Sequence, residues 1–179
     1  PEDGLLIYSG SSTNIAHFID EVPCRTVSCA LEHEANYSAS AIRFEKGRSL
    51  YRLTAKPTAR DIGDPHIQPD SCEVSLSTFG RHNVINSLLA IALLNQMGYP
   101  LDEAGRAVGN FKGARRRFET VHDQDKVTIV DDYAHHPTEI QTVLRSSRSY
   151  FEKRRLISVF QPHQHSPTPF LKKETAPSS

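Results

Sequence analysis

Two polar stretches carry residue types that could do chemistry: Asp131-Asp132-Tyr133-Ala134-His135-His136 and Gln161-Pro162-His163-Gln164-His165. A carboxylate at the end of a strand can accept hydrogen bonds from ribose hydroxyls. An imidazole can bind a carboxylate when charged and a metal when neutral. Zinc is the poorer fit, because the spacing matches no closed zinc pattern and no cysteine lies near. The structural alternative stands beside these: Asp131 caps a turn, and one of the two adjacent histidines faces away from any pocket.

Two more stretches have chemical potential. In Gly80-Arg81-His82-Asn83-Val84-Ile85-Asn86, Asn83 suits the N-cap of the apolar helix that follows. Asn86 is polar within that apolar run and so needs a partner. An amide that donates and accepts can read the edge of an adenine. In Phe111-Lys112-Gly113-Ala114-Arg115-Arg116-Arg117-Phe118-Glu119, clustered guanidinium groups can reach phosphate oxygens. Taken alone, that run reads as a solvated linker.

The surrounding pattern says what must position these groups. Leu5 to Tyr8 and Arg25 to Ser28 read as strands, with a weak helical spacing between them over residues 13–20. Tyr37 to Phe44 and Ser49 to Thr54 alternate around Lys46-Gly47, a hairpin signal. Residues 56–71, with Pro57, Pro65, Pro69 and Gly63, read as a loop. Val74 to Leu76 resumes a strand. Residues 84–97 are apolar on nearly every side, which predicts a buried helix stopped by Gly98. A shorter helix follows Pro100. Val127 to Val130 and Leu156 to Phe160 read as parallel strands joined by a helix starting at Pro137. That arrangement brings Asp131–His136 and Gln161–His165 to one sheet edge, where open α/β sheets bind ligands. The tail from Pro162 onward reads as irregular.

Composition narrows the class. The 179 residues hold 21 basic and 21 acidic side chains, so net charge offers no nucleic-acid footprint. No apolar run reaches the length of a membrane span. Three cysteines, Cys24, Cys29 and Cys72, are an odd, widely spaced set that reads as reduced thiols in a cytoplasmic protein. The opening Pro1-Glu2-Asp3 reads as the interior of a longer chain.

The ordered set Gly80–Asn86, Arg116-Arg117-Phe118-Glu119, Asp131–Glu139 and Phe160-Gln161-Pro162-His163 resembles the Mur ligases. The likeness is strong over residues 74–163 and weaker but colinear over 1–73. It implies an α/β fold: the last part of a central ATPase-type domain with a small antiparallel β insert over residues 1–114, then the start of a Rossmann-like C-terminal domain over 115–179. It implies ATP-driven amide formation with Mg²⁺, and the spellings resemble the branch that joins L-alanine to UDP-N-acetylmuramate.

By motif position, the resemblance implies that Asn86 contacts adenine with Asn83 nearby, Asp132 holds the ribose, and Arg117 approaches the phosphates. His135 and His163 would line the amino-acid pocket. None of the 179 residues is implied as a metal ligand. The sequence contains no Gly-x-x-x-x-Gly-Lys-[Ser/Thr] loop, so the phosphate loop and Mg²⁺ ligands are expected upstream of Pro1. Gln164 and Pro167 stand where the family carries two arginines facing the amino-acid carboxylate. These departures leave open a non-catalytic relative that binds nucleotide or a partner protein. The branch that recycles peptides onto UDP-N-acetylmuramate is a further alternative.

Overall fold

A computed structural model describes residues 3–11, 13–45, 47–57 and 69–161 of the chain. Two units emerge, Pro1–Lys112 and Gly113–Ser179. The expected loop over 56–71 falls mostly outside the described residues, as do His163, His165 and the tail.

In the first unit, β1 (Leu5–Ser9) and β2 (Arg25–Leu31) pair in parallel, Ile7 opposite Val27. A short helix α1 (Thr13–Ala16) and a 3-10 turn (Ile19–Glu21) connect them. Strand β3 (Tyr37–Glu45) lies parallel to β2, and β4 (Arg48–Ala55) and β5 (Asp70–Leu76) continue antiparallel. The result is one mixed sheet in the order β1-β2-β3-β4-β5.

The β2–β3 connection is short for parallel neighbours, which normally need about a dozen or more linking residues. Only Cys29–Leu31 and Tyr37–Ala39 pair. Glu32 turns the chain with a left-handed φ of 59°. Asn36 then substitutes for ladder bonds: its Oδ1 accepts from the Ser28 amide at 2.8 Å and the Ser28 hydroxyl at 2.9 Å. Its backbone N–H donates to Ser28 Oγ at 3.0 Å. A buried amide side chain must be satisfied in this way.

The strand β4 shows the period-2 logic most clearly. Ser49, Tyr51, Leu53 and Ala55 are buried while Arg48 and Arg52 are exposed. Helix α2 (Arg81–Gln96) covers this face with Val84, Leu88, Ile91 and Ala92, all buried. Each large side chain so buried contributes about 1.5–3 kcal/mol. The two core tyrosines keep their hydroxyls bonded: Tyr51 to Ser87 Oγ at 2.8 Å and Tyr37 to Asn95 Oδ1 at 2.6 Å.

The expectation that α2 is buried all round is corrected. Leu93, within the helix, and Met97, its C-cap, are 48% and 65% exposed, whereas Val84, Leu88 and Ile91 are buried against the core. Asn83 is not the N-cap either. The helix begins earlier, at Gly80 with φ 109°, and Asn83 sits in the first turn with its Nδ2 donating to the Phe79 carbonyl at 2.8 Å. Helix α3 (Leu101–Gly109) packs on β5 through Leu101, Ala104, Gly105 and Gly109.

In the second unit, β6 (Glu119–Gln124) and β7 (Val127–Asp131) form an antiparallel hairpin. Its two central residues, Asp125 and Lys126, both have positive φ, as a type I′ turn requires. Strand β6 was not expected, since Glu119-Thr-Val-His-Asp-Gln124 offers no apolar alternation. Helix α4 (Pro137–Tyr150) starts at Pro137 as its sequence predicts. The strand expected over Leu156–Phe160 does not form: the segment has no ladder, and Ile157 and Val159 are 70% and 92% exposed. An apolar run becomes a strand only where an edge pairs with it, and among the described residues no strand pairs with this one. Among the described residues, no helix is long and apolar enough to cross a membrane.

Candidate functional site

The two asparagines lie in the first unit. Both lie in the opening turns of α2, three residues apart. Asn83 is half-buried and held by the Phe79 carbonyl. Asn86 is exposed, so solvent satisfies its amide and the buried partner expected for it is not required. The helix mouth is itself fixed by Ser49, whose Oγ accepts from the Gly80 amide at 3.2 Å and donates to the Thr78 carbonyl at 2.8 Å. Arg81 pairs with Glu32 at 3.0 Å on the surface.

The second unit gathers Arg117, Asp132 and His135 around one loop. The loop follows β7, and the Arg115–Glu119 segment precedes β6. Five interactions hold these two segments in place. The Tyr133 amide donates to the Arg116 carbonyl at 2.8 Å. The Phe118 amide donates to Asp132 Oδ2 at 2.8 Å. Arg116 Nε lies 3.3 Å from Asp131 Oδ2, and its guanidinium carbon sits 4.9 Å from the Tyr133 ring centroid. The Arg116 amide closes the turn on Glu119 Oε2 at 2.8 Å.

This clamp gives the arginines separate jobs. Arg116 is committed to Asp131 and Tyr133. Arg117, between two clamped residues, is exposed, with its backbone held on both sides. Arg116 and Phe118 adopt left-handed φ values of 57° and 53°. For bulky residues that conformation costs roughly 1–2 kcal/mol each, and the surrounding bonds sustain it.

Asp132 uses both oxygens. Oδ2 takes the Phe118 amide, and Oδ1 takes the Ala134 amide at 2.8 Å. Each carboxylate oxygen has a further lone pair, so the group keeps capacity for a ligand hydroxyl.

The adjacent histidines diverge. His135 packs its ring edge-on to Tyr133, centroids 5.4 Å apart, with Nδ1 3.1 Å from the Tyr133 carbonyl. His136 is the N-cap of α4. Glu139 serves both: its Oε2 accepts from the His135 amide at 3.2 Å and the His136 amide at 3.3 Å. Burial pushes the Glu139 carboxyl up. The two amides, the His135 ring and the Arg117 guanidinium outweigh that, leaving it below its ordinary value. The sequence placed Glu139 at the helix start for dipole reasons but missed its tie to His135; the signal available was its position three residues after the cap.

Among the described residues, no group of three or more His, Cys, Asp or Glu could hold a metal ion. An open cleft of about 380 Å³ lies elsewhere in the second unit, lined by Thr120, Asp123, Thr128 and Tyr150 to Arg154, and includes none of the expected site residues.

Residues 116–174 match the family model described as Mur ligase, glutamate ligase domain. The chain is similar to a UDP-N-acetylmuramate–L-alanine ligase of Persephonella marina, 36% identical over 168 residues, covering 94% of this chain and 33% of that protein. It superposes on the crystal structure of the UDP-N-acetylmuramate-alanine ligase MurC from Thermotoga maritima with a TM-score of 0.70 and 25% identity, covering 88% of this chain and 33% of that one. The MurF ligase of Thermotoga maritima in complex with ADP shares the fold, with a TM-score of 0.62 at 15% identity over 81% of this chain and 30% of that one. The chain spans about a third of the length of the curated relatives it matches.

Proposed function

We propose that the chain is part of a Mur ligase and forms the nucleotide- and amino-acid-contacting stretch of an ATP-dependent ligase joining L-alanine to UDP-N-acetylmuramate. Residues 1–114 are read as the end of the central ATPase domain and 115–179 as the start of the C-terminal domain. In the family reaction, phosphoryl transfer from ATP turns the muramate carboxylate into an acyl phosphate, and the L-alanine amine displaces phosphate from it.

The observation that carries this reading is the joint fixing of Arg117 and Asp132 through the Phe118 amide. Charge builds on the transferring phosphoryl oxygens, and a guanidinium carried on a fixed turn can reach and stabilise it. Arg117 is the residue for that role. Asp132, already oriented by two amides, has remaining acceptor capacity for ribose hydroxyls. Asn86, exposed at the start of α2, offers a donor and an acceptor to the adenine edge, with Asn83 behind it. His135 serves the amino-acid end, and His163 is assigned there on its motif alone. The described residues offer no metal-holding group, so no Mg²⁺ step is assigned to this stretch.

Gln164 and Pro167, where arginines are expected, favour a second reading: a relative that binds nucleotide without completing the reaction. Titrating the isotope-labelled chain with ADP tests what the two readings share. Amide shifts are expected at Asn86, Arg117 and Asp132, and their absence at millimolar ADP overturns the nucleotide site. A phosphate-release assay with ATP, UDP-N-acetylmuramate and L-alanine is expected to show no turnover by these 179 residues. Clear turnover would show that the stretch is catalytically self-sufficient and sink the reading of it as one part of a ligase.

A further inference from the structure

We propose that Glu139 is the positioning residue of the two-histidine turn, its carboxylate holding the His135 imidazole as the tautomer protonated on Nδ1. The proposal deepens, and rests on, the reading of His135 as part of an amino-acid pocket.

Three observations converge on one oxygen. Glu139 Oε2 accepts from two successive amides, those of His135 and His136. The same oxygen lies 3.6 Å from His135 Nδ1. That nitrogen also faces the Tyr133 carbonyl at 3.1 Å. A carbonyl and a carboxylate are acceptors only, so a ring nitrogen facing both carries the proton. An ordinary helix cap accounts for the amide bonds. It does not call for the approach of Nδ1 to the same oxygen, nor for the edge-on packing of the ring against Tyr133 at 5.4 Å.

The consequence is orientation. With Nδ1 turned toward the protein and the ring braced by Tyr133, a ligand meets a single imidazole geometry, and the entropy of ordering the ring is already spent. A carboxylate orienting an imidazole through Nδ1 is a recurrent way of fixing which nitrogen carries the proton.

Ring-nitrogen NMR on the 179-residue chain tests this at about pH 8, above the ordinary imidazole range. The wild type is expected to show His135 mainly protonated on Nδ1. Glu139→Gln keeps an oxygen for both amides but removes the charge opposite Nδ1. It is expected to lower the Nδ1–H to Nε2–H ratio by about threefold or more while lowering the melting temperature less than Glu139→Ala does. Glu139→Ala should lose both the tautomer bias and stability. A wild-type ring protonated on Nε2, or a Glu139→Gln spectrum unchanged from wild type, overturns the proposal and leaves Glu139 as a cap. No ligand enters these measurements. A separate titration with L-alanine that leaves the His135 ring signals unmoved would count against the pocket reading while the tautomer result stood.

Discussion

The Phe118 amide donates to Asp132 Oδ2 at 2.8 Å, joining two segments fourteen residues apart through one side chain. The bond does more than satisfy a buried donor. Phe118 sits at a φ of 53°, a conformation that a bulky side chain adopts only under constraint. The carboxylate that the motif suggests for ribose is thus also the fastening of the turn that carries Arg117. Binding and folding share one residue.

That sharing sets the expected behaviour of Asp132 variants. Asp132→Ala removes the acceptor for both the Phe118 and Ala134 amides. Hydrogen bonds to charged acceptors contribute about 1.5–3 kcal/mol each. Amide exchange in the second unit should accelerate strongly at residues 116–119 and 131–135. Asp132→Asn, which keeps one oxygen, should show about half the effect. Equal exchange in all three proteins would contradict the clamp.

Glu139 gives the second unit an acid-sensitive contribution. Its folded carboxyl lies below the ordinary value, through burial opposed and outweighed by the His135 and His136 amides, the His135 ring and Arg117. A depressed carboxylate stabilises the fold above its unfolded pKa, near 4.3, and that stabilisation disappears as pH falls through the lower folded value. The melting temperature of wild type minus that of Glu139→Gln should therefore shrink toward zero as pH falls from about 5 to below about 4. A difference that grows over that range would reverse the sign and refute the account.

The cysteines should separate by accessibility. Cys29 is fully buried on β2, and burial pushes its thiol up to about 12. Cys24 is half-buried, before that strand. A thiol reagent at about pH 8 should modify Cys24 in the native chain and reach Cys29 only through opening of the first unit, since the thiolate is the reacting form. Urea below the unfolding midpoint should accelerate Cys29 far more than Cys24. Rapid native labelling of Cys29 would mean that β2 is not packed under α2 as described.

Gly109 is a packing test for α3. A Cβ built there would lie 2.7 Å from the Ser75 backbone oxygen, which cannot rotate away. Gly109→Ala should cost about 1–3 kcal/mol and also disturb the bonds from Ser77 to the Gly109 carbonyl, at 3.0 Å from the hydroxyl and 3.2 Å from the amide. Gly98→Ala has open space and is strained only by its φ of 96°, a cost of about 1 kcal/mol. Urea midpoints should fall further for the first variant; the reverse order would exclude the close approach of α3 to β5.

Local pattern by itself determined several of the element types. The alternation of Ser49 to Ala55 wrote β4, the apolar run from Val84 wrote α2, and Pro137 with Glu139 marked the start of α4. The ordered motifs from Gly80 to Glu139 also carried the resemblance to the Mur ligases, because residue types at fixed spacing are legible without knowledge of their neighbours. Tertiary structure alone decided how the polar residues are used. It moved the α2 cap from Asn83 to Gly80, exposed Asn86, and gave Asp132 the Phe118 amide. It also left Leu156–Phe160 without the strand partner that its composition invites. Periodicity records which side of an element is apolar. It does not record which distant amide or sheet edge arrives to meet that side, and hydrogen bonds between residues far apart in the chain depend on that arrival.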